Sequence, residues 1–408
     1  MRYVMVGNGV AGITAALTLR ARDPRAEITV VSGESDYFFS RTALMYAYLD
    51  RMNLRDLEPY ERKVYDAQRI TRRRAWVRSL DTAQHRLALD DGSALGYDKL
   101  LIACGSSPRR ADWPGLADAR QGVVNFVSLQ DLAQCEALTP STRRAVVVGG
   151  GLIGVELVEC LRHHGVEVEF LVREPSYWPV ALKPDEAVLV EEEIRAHGVD
   201  LRMKEEVASV KVDAAGRVAG VETSTGRAIE CQMLGVCIGV QPNIDWLGGA
   251  LEVGRGVRVT PDFRASAPDV WAAGDCAEVG RTLEQIWYSA KRQGDLAARS
   301  MLGDEIDYRP PLFYNSAKFF ELEYTTVGQV ANAPAGSRDY FYAVPGRRAS
   351  VRVVEHAGAV IGFNMLGSRW NHRVLEQWVH ERRSLDAVVA DLPRAQFDVE
   401  FGRVQVTA

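Results

Sequence analysis

Two glycine-rich turns, Gly7-Asn8-Gly9-Val10-Ala11-Gly12 and Gly149-Gly150-Gly151-Leu152-Ile153-Gly154, each follow a short apolar strand and precede a helical segment. The chain has 408 residues, more than one hydrophobic core sustains, and beyond Tyr308 its texture turns to aromatic-rich, strand-like segments. These three observations predict an α/β protein with two Rossmann-like dinucleotide-binding domains plus a small α+β C-terminal domain.

The first unit reads as strand Tyr3–Val6, the first turn, a helix over Ile13–Arg22 and a strand Ile28–Val31 ending before Glu34. Arg74–Asp81 and Arg86–Leu89 alternate like antiparallel strands around the turn Asp90-Asp91-Gly92-Ser93, and a strand Lys99–Ala103 follows. From Gly7 to Gly149, 142 positions on, the pattern restarts: strand Ala145–Val148, the second turn, a helix from Val155 to about His164 and a strand Val166–Val172. Further strands are expected over Val207–Val212, Val218–Thr223 and Ala228–Gly239. After Val270 the chain reads Trp271-Ala272-Ala273-Gly274-Asp275-Cys276, then a helix from about Leu283 to Leu302. In the last part, Lys318–Tyr324 looks strand-like and a helix is expected near Asn371–Arg383.

Composition excludes several classes. A net charge of −5 argues against a dedicated nucleic-acid binder. The most apolar stretch, Ala145–Leu161, carries four glycines with Glu156 and Glu159, so it does not read as a membrane span. Met1-Arg2 runs straight into the first strand, without the layout of a signal peptide. The six cysteines form no C-x-x-C and no metal-ligand pattern with histidine, which suits free, mostly buried thiols in a reducing, cytoplasmic setting.

A G-x-G-x-x-G turn serves a dinucleotide through three glycines. The first makes the tight turn, the second admits the pyrophosphate to the backbone and the third lets helix and strand pack. The pyrophosphate then meets the helix N-terminus, where unpaired N–H groups favour negative charge. One such turn could be merely structural; two in the same context are a strong signal. Glu34, 27 positions after Gly7, lies where an acid accepts from ribose hydroxyls, although a solvated glutamate would fit the same pattern.

Four blocks, in order, carry a resemblance. Besides the two turns they are Leu100-Leu101-Ile102-Ala103-Cys104-Gly105-Ser106-Ser107-Pro108, similar to an A-T-G-x-x-P segment with Cys104 for threonine, and Val270-Trp271-Ala272-Ala273-Gly274-Asp275. Over about residues 1–330 the chain resembles the FAD-dependent pyridine nucleotide-disulfide oxidoreductase superfamily. The resemblance implies FAD and NAD(P)H as cofactors, a FAD domain in two parts (1–117 and 243–306), an NAD(P) domain over 118–242 and a C-terminal domain over 307–408. It places Gly7, Asn8, Gly9, Val10, Ala11, Gly12, Glu34, Val77, Ala103, Cys104, Gly105, Gly274 and Asp275 at FAD, with Asp275 bonding the ribityl chain. Gly149, Gly151, Leu152, Ile153, Gly154, Arg173, Glu174 and Gly239 fall at the nicotinamide nucleotide.

The family's disulfide reductases carry redox-active cysteines after the second strand, whereas Tyr37-Phe38-Phe39-Ser40-Arg41-Thr42-Ala43-Leu44 has none. That stretch resembles the rubredoxin and ferredoxin reductase branch, which usually has proline at Thr42 and directs the arginine, here Arg41, at the FAD pyrophosphate. By the same resemblance Glu156 helps hold the nicotinamide carboxamide and Trp287 stands beside the isoalloxazine. His380-Glu381 is not a clear counterpart of the disulfide reductases' acid–base pair and reads as a solvated stretch. Arg173 suits a 2′-phosphate and Glu174 a free 2′-hydroxyl, so the choice between NADH and NADPH stays open. The cluster Arg72-Arg73-Arg74 with Arg69 and Arg78 is either a docking patch for an acidic carrier or a charged strand edge.

The function implied is hydride transfer from NAD(P)H to flavin and then electron transfer to a carrier of rubredoxin, ferredoxin or Rieske type. Two alternatives stand beside it: an NAD(P)H oxidase or reductase of a small molecule, and a nicotinamide-binding flavoprotein redox sensor. A small iron–sulfur or rubredoxin-type protein is the expected partner, nucleic acid and membrane are not, and homo-oligomerisation stays open.

Overall fold

The stretch Tyr3-Val4-Met5-Val6 is apolar on both faces, the mark of a strand covered from both sides, and all four residues are buried in the strand Arg2–Val6. It is the middle strand of a five-stranded parallel sheet whose order is Val270–Ala272, Lys99–Ile102, Arg2–Val6, Glu27–Ser32, Ile70–Arg74. The chain builds outward from Arg2–Val6 first to one side and then to the other. That reversal leaves a crevice at the carboxyl ends of the central strands, where open α/β sheets bind ligands. The helices Val10–Arg22 and Trp287–Met301 lie against each other, so closely at Gly294 that a Cβ there would strike the backbone of Ala11.

The computed structural model describes residues 1–397 and divides the chain into two compact units. The first comprises Met1–Arg110, Asn125–Glu136 and Gly239–Pro310; the second comprises Ala111–Val124, Ala137–Ile238 and the chain from Pro311 onward. Residues 398–408, the end of the expected C-terminal domain, lie outside the described residues.

The second unit repeats the parallel architecture with the order Asp200–Met203, Glu167–Val172, Arg144–Val148, Met233–Val236, Val123–Val124. An antiparallel sheet of Val207–Val212, Val218–Thr223 and Ala228–Glu230 sits with it. From Tyr314 a five-stranded antiparallel sheet forms, ordered Tyr314–Phe319, Leu322–Gly328, Ala359–Leu366, Ser350–His356, Arg338–Ala343. The helix His372–His380 joins its core through Leu375 and Trp378, beside Phe363 and Met365. Asn371 caps that helix by accepting from the Arg373 N–H at 3.2 Å.

Several expected boundaries move. Both post-turn helices start three residues early, at Val10 and Leu152, because the third glycine of each turn is already helical. Arg74–Asp81 is not one strand: Ile70–Arg74 joins the parallel sheet as its edge, and Val77–Asp81 starts a separate antiparallel sheet with Arg86–Leu89. The segment 228–239 breaks into Ala228–Glu230 and Met233–Val236 in different sheets. The late helix begins at Trp287, since Thr282–Leu283 is a short strand. Lys318–Tyr324 is a hairpin, with Phe320 at φ 55° in its turn. Among the described residues, no helix is long and apolar enough to cross a membrane.

Candidate nucleotide-binding sites

The two glycine turns have the same local geometry. Gly7 and Gly149 take φ of 116° and 112°, where L side chains are strained, and each presses on a backbone carbonyl, of Ala103 and Cys237 respectively. A Cβ at Gly12 or Gly154 would strike the carbonyl of its own turn's first glycine. The middle glycines differ: Gly9 and Gly151 cap their helices in extended backbone, and a Cβ on either would meet nothing within 4 Å. Each turn is thus closed on the protein side and open at the helix N-terminus. No acidic residue lies in the first turn of either helix, which leaves the dipole free for an anion.

In the first unit the family-like blocks converge at the carboxyl ends of the central strands. The Ala103 N–H donates to the Val6 carbonyl at 2.8 Å, the Ala273 N–H to the Ile102 carbonyl at 3.0 Å, and a Cβ on Gly274 would touch Ala11. The Ser106 hydroxyl donates to Asp275 at 2.8 Å. Burial raises the Asp275 carboxyl above its ordinary range, opposed by that hydrogen bond and by the Arg41 guanidinium. The Gly274 N–H is held by the Gln293 side-chain carbonyl at 2.8 Å. Trp287 is half-buried, and its indole N–H is buried without a partner among the described residues. An indole N–H in that position calls for an acceptor that the described residues do not provide.

Glu34 and Arg41 meet. Arg41 forms a two-pronged ion pair with the Glu34 carboxylate, at 3.0 and 2.6 Å, and also reaches the Val127 carbonyl. The Leu129 N–H donates to Glu34 at 3.3 Å. Thr42 is exposed, with its hydroxyl 3.2 Å from that of Ser40, and Val77 is half-buried opposite Leu89. Asn8 is buried, and its side chain donates to the Asp36 carbonyl and accepts from the Tyr65 hydroxyl. Tyr65 in turn accepts from the Phe38 N–H at 2.8 Å, tying the glycine turn to the segment that carries Arg41. The arginine cluster is largely engaged: Arg72 stacks on Tyr37 at 4.6 Å, Arg73 pairs with Asp91, and Arg69 donates to the Pro24 carbonyl at 2.6 Å. The charged-edge reading therefore describes it better than a free docking patch.

In the second unit, Glu156 and Glu159 share a face of the helix Leu152–His163, and Lys318 from the C-terminal sheet pairs with Glu159. Burial, with Glu159 adding to it, pushes the Glu156 carboxyl up to about 8, while Lys318 opposes the rise. Although Glu156 keeps part of its surface, its carboxyl is shifted toward the protonated form, which can donate a hydrogen bond. Close by, the Tyr177 hydroxyl is buried without a partner among the described residues, and burial raises its pKa, with a further push from Glu156. Arg173 and Glu174 bond each other at 2.8 Å, with Arg173 the more exposed. Gly239, at φ 101°, belongs to the first unit, where its carbonyl accepts from the Arg109 N–H. His380 and Glu381 are exposed.

The family described as pyridine nucleotide-disulphide oxidoreductase matches residues 1–294. The chain belongs to this family. Among curated relatives it is 29% identical over 347 residues to a 5,5′-dehydrodivanillate O-demethylase ferredoxin reductase subunit of Sphingobium sp., covering 80% of this chain and 81% of that one. It is 30% identical over 354 residues to rhodocoxin reductase of Rhodococcus erythropolis, covering 83% and 79%. Among solved structures, a covalent putidaredoxin reductase–putidaredoxin complex superposes with a TM-score of 0.84 at 22% identity, over 93% of each chain, which speaks for the fold.

As a family member, the chain is a FAD- and NAD(P)H-dependent oxidoreductase. The open glycines 9 and 151 and the orphaned Trp287 N–H are consistent with such cofactors. Sequence reasoning did not single out Ser106, Gln293, Tyr65 or Lys318. Ser106 stands two residues after Cys104, but its bond to Asp275, like the contacts of the other three, joins residues remote in the chain.

Proposed function

We propose that this protein is the reductase of a short electron-transfer chain, taking hydride from NAD(P)H and passing electrons to a small iron–sulfur or rubredoxin-type carrier. The supporting observation is the pair of equivalent glycine turns combined with the absence of any cysteine in Tyr37–Leu44. Two nucleotides are accommodated, and the thiol relay of the disulfide reductases is missing. The relatives named ferredoxin reductase subunit and rhodocoxin reductase, matched over about four-fifths of their length, agree with this reading.

FAD, when bound, supplies the chemistry: it accepts a hydride and releases its electrons one at a time. The protein's residues bind and orient. In this proposal Gly9 and the N-terminus of Val10–Arg22 receive the FAD pyrophosphate, Arg41 adds a cation, Glu34 takes the ribose and Asp275 the ribityl chain. Gly151, with Leu152 and Ile153, receives the nicotinamide nucleotide; neutral Glu156 donates to the carboxamide and Trp287 packs beside the flavin. The domain division 1–117, 118–242, 243–306 and 307–408 and a cytoplasmic location belong to the same proposal, the latter on the strength of six free cysteines.

The test is an acceptor screen on the flavin-loaded protein. NAD(P)H oxidation should be slow in air and rise steeply on adding a rubredoxin or a [2Fe–2S] ferredoxin. Oxidation in air as fast as with any carrier would overturn the proposal in favour of an oxidase.

A further inference from the structure

The loop 173–183 joins the strand Glu167–Val172 to the helix Pro184–Ala196 and begins with Arg173 and Glu174. Its start is tied to the end of the neighbouring strand Asp200–Met203, where the Lys204 N–H donates to the Glu174 carbonyl at 3.1 Å. The rest of the loop is held from the C-terminal sheet, which lies in the same compact unit. Trp178 packs edge-on against Phe319 and Tyr324, with ring centroids 5.8 and 5.4 Å away, and Tyr177 packs against Phe319 at 5.8 Å. The Asn364 side-chain N–H donates to the Ala181 carbonyl at 3.2 Å, and Lys183 pairs with Asp339. Just past the loop, Glu186 is fully buried and accepts from Arg352 and from Asn364, each at 3.0 Å.

Trp178 has φ 48°, a left-handed conformation that is unfavourable for a bulky side chain. A residue stays in such a conformation where its surroundings over-determine it. Here they are the two aromatic rings of the C-terminal hairpin and the turn that Trp178 opens, in which its carbonyl accepts from the N–H groups of Ala181 and Leu182, both at 3.0 Å. The anchor at Glu186 is equally exacting. A carboxylate and a guanidinium that have both left water are tolerated only while they face each other, so the helix start that ends the loop is fixed against Arg352.

We propose that the C-terminal sheet braces the nicotinamide-nucleotide site: by holding Trp178, Ala181 and Glu186 it fixes the loop 173–183, so that Arg173 and Glu174 stand ready-placed for the 2′ end of the nucleotide. The proposal rests on the reading that puts those two residues at the nucleotide. Trp178, Tyr324 and Asn364 are positioning residues, acting on the nucleotide only through the loop. A free loop would have to be ordered on binding, at a cost in affinity, whereas a loop already held avoids that cost. The brace also gives the C-terminal sheet a part in choosing between NADH and NADPH, because the discriminating side chains sit on the backbone that it holds.

The test uses the full-length FAD-loaded protein carrying Trp178→Ala, Tyr324→Leu or Asn364→Ala. Arg352 and Glu186 stay intact, because removing either strands a buried charge and destabilises the whole unit. NAD⁺ and NADP⁺ binding is titrated by calorimetry, and hydrogen exchange over 173–183 and FAD retention are measured alongside. The expected result is faster exchange over 173–183, affinity for the preferred nucleotide weakened about tenfold, and a smaller difference between NAD⁺ and NADP⁺, with FAD retention unchanged. Trp178→Ala combined with Tyr324→Leu should cost little more than Trp178→Ala alone, since both break one contact. Faster exchange with unchanged nucleotide affinities would overturn the proposal. So would unchanged exchange, or loss of FAD together with nucleotide, the mark of general unfolding. The underlying reading fails separately: equal effects of Arg173→Ala and Glu174→Ala on both cofactors would remove those residues from the site and the brace with them. Altered discrimination in those two variants, with none in Trp178→Ala, would refute the brace alone.

Discussion

Alanine at Gly9 and at Gly12 should separate flavin binding from folding. Gly9 sits at φ −81°, ψ −175°, extended backbone that alanine adopts freely, and its added Cβ would meet no atom within 4 Å. Restricting the unfolded chain should then stabilise the apoprotein by roughly 0.4–1 kcal/mol. The same methyl occupies the space through which the FAD pyrophosphate is proposed to approach, so flavin affinity should fall about tenfold or more, equivalent to about 1.4 kcal/mol. Gly12 is the opposite case. Its Cβ would stand 2.0 Å from the Gly7 carbonyl oxygen, well inside contact, with backbone and not a flexible side chain in the way. Overpacking of this kind costs about 1–3 kcal/mol or more, and it falls on the apoprotein. Thermal melts of the flavin-stripped proteins, paired with FAD titrations followed by fluorescence quenching, read the two effects separately. If the Gly9→Ala apoprotein is destabilised like Gly12→Ala, or binds FAD as tightly as wild type, the open middle glycine is not the pyrophosphate cradle.

Asp275→Ala should weaken FAD retention by about 1.5–3 kcal/mol through loss of a charge-assisted hydrogen bond, and unchanged retention on gel filtration would reassign the block. Because the Glu156 carboxyl is raised to about 8, KM for NAD(P)H should climb as pH passes that value and stay flat in Glu156→Gln. The folded-state value lies above the unfolded one, so this group's stabilising contribution is complete at low pH and is lost as pH rises through about 8. The melting temperature should accordingly fall more between pH 6 and pH 9 in wild type than in Glu156→Gln, and parallel curves would refute the shift. Lys318→Met, which removes the cation opposing that rise, should move the KM transition to higher pH. If Arg173 serves a 2′-phosphate, Arg173→Ala should raise KM for NADPH far more than for NADH. If Glu174 serves a free 2′-hydroxyl, Glu174→Ala should improve NADPH use and harm NADH use. Since the two side chains bond each other, either change frees the partner. Equal effects on both cofactors at one ionic strength would exclude both residues from the choice.

Local pattern was enough for the fold class, both glycine turns and the order of the blocks, because each depends on a few consecutive residues: an apolar strand, glycines at fixed offsets, an apolar helix after them. The helices start earlier than the local pattern predicts for an equally local reason. The glycines read as the end of a turn, yet Gly12 and Gly154 already lie within the first turn of the helices they open. Sequence alone could not show which distant residues meet. Only the folded chain joins Glu34 to Arg41, Ser106 to Asp275 and Lys318 to Glu159. The same holds for the protonation of Glu156. Its residue type and helical spacing were legible, but the loss of solvent that raises its carboxyl and the cation that restrains it both come from chain folded over it, and desolvation is a property of the packed structure, not of the residue.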